Sequence, residues 1–145
     1  MNAHTCTRRL EFDAAHRVER HGGKCRSLHG HRYVVEITCA APKLDDAGFV
    51  VDFGVVKNVV GRWIDEHLDH TTIYDGGDAV MTELAEAAAR AGMRAWYRLN
   101  GAPTAENLAA HLFERAAELL ADMVQVVHVR VYETPNCWAD HGGVS

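Results

Sequence analysis

The sequence predicts an α+β domain in which helices cover one face of a four-stranded antiparallel sheet. Apolar residues alternate at period two in four stretches and recur at helical spacing in three others. The resulting order, ββααβαβ, leaves no helix between the first two strands, so we expect these strands to pair antiparallel. A chain of 145 residues with 48% apolar composition fits one domain, spanning residues 1–145.

The first two predicted strands carry the residues that matter most for function. They run from about Thr7 to Arg17 and from about His29 to Cys39, joined by a polar loop. Side chains two apart project from the same face of a strand. One face of each strand is thus defined by Leu10, Phe12, Ala14 and His16 on the first and by His31, Tyr33, Val35 and Ile37 on the second. Antiparallel pairing would bring His16 near His29 and His31.

The rest of the chain is predicted to hold three helices and two further strands. The predicted bounds are about 53–68, 79–91 and 105–119 for the helices and about 93–99 and 124–133 for the strands. Thr71-Thr72 is interpreted as a break after the first helix, and Pro135-Asn136 as the stop of the last strand. So small a sheet has open edges, and we therefore expect the chain to self-associate.

The composition narrows the class of function. A formal net charge of -5 argues against a general nucleic-acid or membrane-surface role. A local basic patch around the histidines, built from Arg17, Lys24, Arg26 and Arg32, could still hold an anionic substrate. We expect no signal peptide, no membrane span, a cytoplasmic location and cysteines present as thiols, because no long apolar run and no framework cysteine spacing is present.

Three histidines form the main candidate site, a zinc centre. His29 and His31 share one face of a strand, and His16 is expected beside them. Three imidazole nitrogens leave one position of a zinc ion open, which is the catalytic arrangement, although iron, nickel or copper also suit such nitrogens. An isolated His-x-His is more often an ordinary surface strand, and the third histidine is what favours a metal. His67 and His70, spaced His-x-x-His, are either a rival metal site or solvated polarity at a helix end.

Four further residues are candidates for proton transfer and binding. Cys25 lies between two cations that would favour the thiolate, whereas most lone cysteines are inert packed thiols. His70 could exchange a proton with a substrate or with Cys25 if Asp69 fixed its tautomer, which requires the backbone to turn between these neighbours. Glu133 is either a solvated acid at a strand end or a carboxylate that accepts hydrogen bonds from the N–H edge of a guanine-like ring.

Taken in order, these residues resemble the 6-pyruvoyl-tetrahydropterin synthase/6-carboxytetrahydropterin synthase family. The matching stretches span nearly the whole chain, and the ordered set is far more specific than His-Gly-His alone. They are Phe12-Asp13-Ala14-Ala15-His16, Cys25-x-x-x-His29-Gly30-His31, Gly48-Phe49-Val50-Val51-Asp52-Phe53, Leu68-Asp69-His70, Pro103-Thr104-Ala105-Glu106-Asn107-Leu108 and Glu133-Thr134.

The resemblance implies the tunnelling fold (T-fold), in which oligomerisation joins the sheets into a barrel, usually as a homohexamer made of a dimer of trimers. It implies zinc on His16, His29 and His31 and a pocket shared between subunits. It further implies Cys25 as the proton acceptor, Asp69 with His70 as a relay, and Glu133 as the anchor of the pterin ring. Its partner would be a small-molecule pterin triphosphate.

Three residues between Cys25 and His29 resemble the 6-carboxytetrahydropterin synthase branch of the family. The implied reaction converts 7,8-dihydroneopterin triphosphate to 6-carboxy-5,6,7,8-tetrahydropterin, acetaldehyde and triphosphate, which serves 7-deazaguanine and queuosine synthesis. Two alternatives stay open. One is a 6-pyruvoyl-tetrahydropterin synthase, which eliminates triphosphate and retains the side chain. The other is a non-catalytic, zinc-stabilised assembly module.

Overall fold

The computed structural model describes residues 4–143, and within them one sheet of six strands carries helices on one face. The strands are β1 (His4–His16), β2 (His29–Ala41), β3 (Thr71–Asp75), β4 (Tyr97–Leu99), β5 (Gln125–Thr134) and β6 (Cys137–Gly142). They lie in the order β4-β3-β1-β2-β5-β6. The helices are α1 (Phe53–Val56), α2 (Arg62–His67), α3 (Ala79–Arg90) and α4 (Ala105–Leu119), and the π-helical turn Lys57–Gly61 joins α1 to α2.

The long β1–β2 ribbon is the centre of the fold. Its antiparallel register runs from His4↔Ala41 to His16↔His29, so the predicted pairing of these strands is confirmed. Alternate residues of both strands are buried under the helices. The core on this face includes Phe12, Val35 and Ile37 from the ribbon, Ile64 and Leu112 from the helices, and Val129 from β5.

Side chains cap the start of three helices. Asp52 Oδ1 accepts the Gly54 N–H at 2.7 Å, and Thr104 Oγ1 accepts the Asn107 N–H at 3.2 Å. Asp78, which the sequence analysis did not single out, caps α3 by accepting the Met81 N–H at 3.2 Å. These caps set the points at which the chain passes from the sheet to the helical layer.

The strand count of four is wrong, because two short strands extend the sheet. The predicted break at Thr71-Thr72 instead begins β3, which pairs parallel with the end of β1 at Ala14 and Ala15. Pro135-Asn136 does not stop the chain but turns it into β6, which pairs antiparallel with β5. Because β3 and β4 also pair parallel, the sheet is mixed rather than purely antiparallel. Both added strands are short and take their hydrogen bonds from partners that local periodicity does not reveal.

The helix-free face of the sheet is charged and largely exposed. Residues of opposite charge alternate across neighbouring strands and pair there. The pairs are Arg9–Glu36 at 3.4 Å, Arg32–Glu11 at 3.0 Å, Arg32–Asp13 at 2.9 Å and Arg130–Asp140 at 2.7 Å. In the part of the chain that the structure covers, no helix is both long and apolar enough to cross a membrane.

Candidate metal centre and the groups around it

The three predicted zinc ligands lie together at the end of the β1–β2 ribbon. His16 pairs directly with His29, and His31 follows two residues later on the same face. The three imidazole ring centroids are 4.7 to 5.0 Å apart, and one ligand nitrogen from each ring lies within 4.8 Å of the others. The period-two pattern of β2 and the register of the ribbon are sufficient to produce this convergence.

Backbone carbonyls orient two of the rings. His16 Nδ1 lies 2.7 Å from the Pro103 carbonyl oxygen, and His29 Nδ1 lies 2.7 Å from that of Ser27. A carbonyl only accepts, so Nδ1 carries the proton in both rings and Nε2 presents a lone pair. Metal-binding histidines commonly show this arrangement.

The remaining nitrogens fit a metal ion. His16 Nε2 and His31 Nε2 are buried and have no hydrogen-bond partner within residues 4–143. Burial lowers the pKa of both His16 and His31 from its ordinary value, which favours the neutral imidazole that coordinates metals. Buried, neutral and unpartnered nitrogens converging on one point are what a three-histidine zinc site requires.

Glu133 lies beside this centre rather than in open solvent. Its side chain is 27% exposed, and Oε1 is 4.0 Å from His16 Nε2. The pairing Val34↔Tyr132 places Glu133 near the end of the β2–β5 ladder, close to the metal-binding end of β2. A carboxylate in this position can accept hydrogen bonds from a ligand held at the centre.

Cys25 lies in the loop that leads from β1 to the metal-binding end of β2. It is half-buried in a short 3₁₀ turn, Lys24–Arg26, and its carbonyl accepts the Val18 N–H at 2.9 Å, which closes the loop. Among the described side chains, the cluster that could hold the ion consists of the three imidazoles and does not include this thiol. Cys25 is therefore not among the side chains that the described residues bring together as possible metal ligands.

Asp69 and His70 form a hydrogen-bonded pair. His70 has a left-handed backbone with φ 59°, and this turn lets Asp69 Oδ2 accept from His70 Nδ1 at 2.9 Å. Asp69 Oδ1 also accepts the Asp13 N–H at 2.9 Å. Burial alone would raise the pKa of Asp69, but these hydrogen bonds and the nearby positive charges outweigh it and leave the pKa below its ordinary value. Asp69 therefore stays ionised and bonds the Nδ1 nitrogen of the His70 ring rather than Nε2.

The rival site at His67 and His70 is not formed. His67 Nδ1 donates to the Trp63 carbonyl at 2.9 Å, and the His67 ring stacks on Trp63 with centroids 4.7 Å apart. No cluster of three metal-binding side chains within residues 4–143 includes His67. His70 is instead grouped with Asp13 and Asp69.

The relay and the three histidines lie on opposite faces of the ribbon. His16 shares the buried, helix-covered face of β1, whereas the Asp13 side chain has the opposite parity and lies on the helix-free face. The His70 and Asp69 side chains cluster with the Asp13 carboxylate. One protomer therefore does not direct His70 and the three-histidine centre at the same side of its sheet.

The predicted basic patch is half wrong. Arg17 makes a two-pronged ion pair with buried Asp78, with both hydrogen bonds at 2.7 Å, and Arg32 pairs with acids on the helix-free face. Lys24 and Arg26 lie in the short turn before β2. The acidic partners were missed because they lie on other strands and on a helix start, where the spacing along the chain gives no signal.

Comparisons with known proteins agree with this architecture. A family model described as 6-pyruvoyl tetrahydropterin synthase matches residues 5–143. A protein of Rickettsia bellii named 6-carboxy-5,6,7,8-tetrahydropterin synthase is 44% identical over 137 residues, which cover 93% of this chain and 97% of the relative. A protein of the same name from Aquifex aeolicus is 33% identical over 153 residues, covering 91% and 93%.

Two solved structures share the fold. A crystal structure of an uncharacterized protein from Wolinella succinogenes matches with a TM-score of 0.86 at 23% identity, covering 99% of both chains. The 6-pyruvoyl tetrahydropterin synthase of Caenorhabditis elegans matches with a TM-score of 0.72 at 22% identity, covering 99% of this chain and 97% of the other. The predicted tunnelling-fold class, with helices on one face of the sheet, is confirmed.

Proposed function

The chain belongs to the 6-pyruvoyl tetrahydropterin synthase family, and from that premise we propose that it is a zinc-dependent 6-carboxy-5,6,7,8-tetrahydropterin synthase. It would be a carbon–carbon lyase converting 7,8-dihydroneopterin triphosphate to 6-carboxytetrahydropterin, acetaldehyde and triphosphate, for 7-deazaguanine and queuosine synthesis in the cytoplasm. The observation that carries the proposal is the convergence of His16, His29 and His31, with nitrogens within 4.8 Å, in a chain 44% identical to a relative of that name.

His16, His29 and His31 would hold Zn²⁺. When bound, the ion supplies Lewis acidity to oxygens of the substrate side chain. The orientation of His16 and His29 by backbone carbonyls favours this role, because rings already turned with Nε2 outward lose little freedom on binding.

The residues of the chain itself bind the ring and move the protons. Glu133 accepts hydrogen bonds from the N–H edge of the pterin, which holds the ring beside the histidines. The Cys25 thiolate takes a proton from substrate carbon at Sγ. His70, whose Nδ1 is occupied by Asp69, holds and returns a proton at Nε2, and the low pKa of Asp69 keeps that partner ionised.

A second copy of the chain completes the site in this proposal. Because His70 and the three histidines of one protomer lie on opposite faces, one ligand can meet both only if they come from different protomers. Unpaired strand edges could join the sheets of two protomers. β3 pairs with β1 only at Ala14 and Ala15, so most of that side of β1 is unpaired within the described residues. β6 forms the opposite edge of the sheet. We infer that these edges join the sheets into a barrel, with its charged helix-free face inward, as a hexamer made of two trimers.

Metal analysis joined to product identification tests the function. Purified protein is expected to hold one Zn²⁺ per chain and to release acetaldehyde from dihydroneopterin triphosphate. Retention of a three-carbon side chain would instead identify a 6-pyruvoyl-tetrahydropterin synthase. Stoichiometric zinc with no turnover of the substrate would identify a zinc-stabilised assembly module and refute the proposed reaction.

A further inference from the structure

One buried polar group near the metal centre has no partner. The Tyr33 side chain is 1% exposed, and its hydroxyl makes no hydrogen bond to any other described residue. Buried polar atoms in native proteins nearly always have a partner. A metal ion accounts for the same orphaned state of His16 Nε2 and His31 Nε2. The hydroxyl needs a separate acceptor.

The ring of Tyr33 leans toward the histidines. Tyr33 pairs with Phe12, four residues before His16 on β1, a separation of about 13 Å along a strand. Nevertheless the centroid of the Tyr33 ring is only 5.9 Å from that of His16. His31, two residues before Tyr33 on the same face of β2, has its ring centroid 5.5 Å from that of Tyr33. The Tyr33 ring therefore lies against the rings of two of the three candidate ligands.

Neighbouring side chains hold the Tyr33 ring beside the histidines, and its hydroxyl can donate a hydrogen bond. Phe12 stacks on it with centroids 5.0 Å apart and planes 12° apart. Continuing the ladder from Val34↔Tyr132 places Glu133 opposite Tyr33 on β5. A tyrosine hydroxyl carries its proton at neutral pH and can therefore donate a hydrogen bond.

We propose that Tyr33 is a positioning residue whose hydroxyl donates a hydrogen bond to the oxygen atom held at the open position of the three-histidine site. That oxygen belongs to a bound water when no substrate is present and to a substrate hydroxyl when one is. The inference rests on the metal centre of the proposed function and extends it, because it assigns a donor that orients whatever the histidine-bound ion holds.

The test compares Tyr33→Phe with Tyr97→Phe. Each variant removes a single hydroxyl, but the Tyr97 hydroxyl is already hydrogen-bonded, 2.6 Å from His111 Nε2. Three measurements are made on the full chain: the unfolding midpoint of chelator-treated protein, the affinity for Zn²⁺, and the affinity of the zinc form for neopterin. His29→Ala, assayed in parallel, shows whether zinc binds at the histidines.

In metal-free protein, Tyr33→Phe should unfold at or above the midpoint of the unaltered chain, because it removes an unsatisfied group, whereas Tyr97→Phe should unfold below it. Removing a partner of a metal site commonly costs 10- to 100-fold in affinity, so Tyr33→Phe should weaken Zn²⁺ or neopterin binding about tenfold and Tyr97→Phe should weaken neither. A lower affinity of Tyr33→Phe for Zn²⁺ identifies the oxygen of the bound water as the acceptor. A lower affinity for neopterin alone identifies the oxygen of the substrate as the acceptor.

Two results would overturn the inference. One is that Tyr33→Phe binds both probes within twofold of the unaltered chain. The other is that its metal-free midpoint falls as far as that of Tyr97→Phe, since the hydroxyl would then already have a partner inside the protein. If either result is found while the unaltered chain binds zinc through His29 and makes the product, the role of Tyr33 is refuted and the proposed function stands. If His29→Ala still binds zinc, the three-histidine metal centre is refuted together with the role of Tyr33.

Discussion

The ion pair between Arg17 and Asp78 offers the sharpest test of how this fold supports its site. Asp78 is 2% exposed and caps α3, while Arg17 directly follows His16. Arg17→Met leaves a buried carboxylate without its cation, a change that typically costs about 3–5 kcal/mol. We expect the lower end, about 3 kcal/mol, because Arg17 is 15% exposed and the Met81 N–H still bonds Asp78.

The loss should depend on pH with a definite sign. The hydrogen bond from Arg17 holds the pKa of Asp78 below its ordinary value, so the contribution of this carboxylate is present above its unfolded pKa and is lost as the pH falls through the folded pKa. In Arg17→Met the Asp78 carboxylate keeps only its burial and its capping hydrogen bonds, and burial raises the pKa of Asp78. That variant regains stability when Asp78 takes up a proton. The gap between the two proteins should therefore be wide at pH 7 and narrow near about pH 4.

Urea unfolding of metal-free protein at equal protomer concentration measures this gap, since stability of an oligomer depends on concentration. Arg9→Met is the matched control. Its ion pair with Glu36 is 3.4 Å long, with Arg9 56% exposed, and its loss should cost less than about 1 kcal/mol. If Arg17→Met cost no more than Arg9→Met, or if its deficit did not shrink on acidification, the assignment of a buried, stabilising pair would be refuted.

Three further predictions concern the site and the start of α4. Cys25→Ala should stay folded and zinc-loaded but lose turnover, since the thiol is not part of the three-histidine cluster and is proposed to accept a proton. Loss of zinc on metal analysis would contradict this expectation. His16→Ala should abolish stoichiometric zinc binding. His67→Ala should retain it, because the His67 ring is stacked on Trp63. Loss of zinc in His67→Ala but not in His16→Ala would instead support a metal site at His67 and His70. Thr104→Ala should lower the free energy of unfolding by about 1 kcal/mol through loss of the cap on α4, and an unchanged urea midpoint would show that the cap contributes nothing.

Much of the site follows from short-range pattern. Alternation places His29 and His31 on one face, and the absence of a helix between β1 and β2 brings His16 to them, so the candidate metal centre could be predicted from the sequence. The same alternation put Tyr33 on that face, but it does not reveal that the Tyr33 ring approaches the His16 ring to 5.9 Å, because this depends on how the side chains of two strands pack together. Strands β3 and β6 were not predicted, because segments this short form strands only when adjacent strands of the sheet supply hydrogen-bond partners.

The chain alone specifies which side chains can serve as metal ligands, bases and caps, since these depend on residue type and on the periods of strand and helix. It does not specify which carbonyl sets the tautomer of His16, because Pro103 lies 87 residues away. Nor does it reveal that Asp78 neutralises Arg17 from 61 residues away, or that His70 lies across the sheet from the histidines. Hydrogen bonds and ion pairs between distant segments form only when the whole sheet and its helices have packed, so the direction of each group and the sign of its surroundings are properties of the folded molecule.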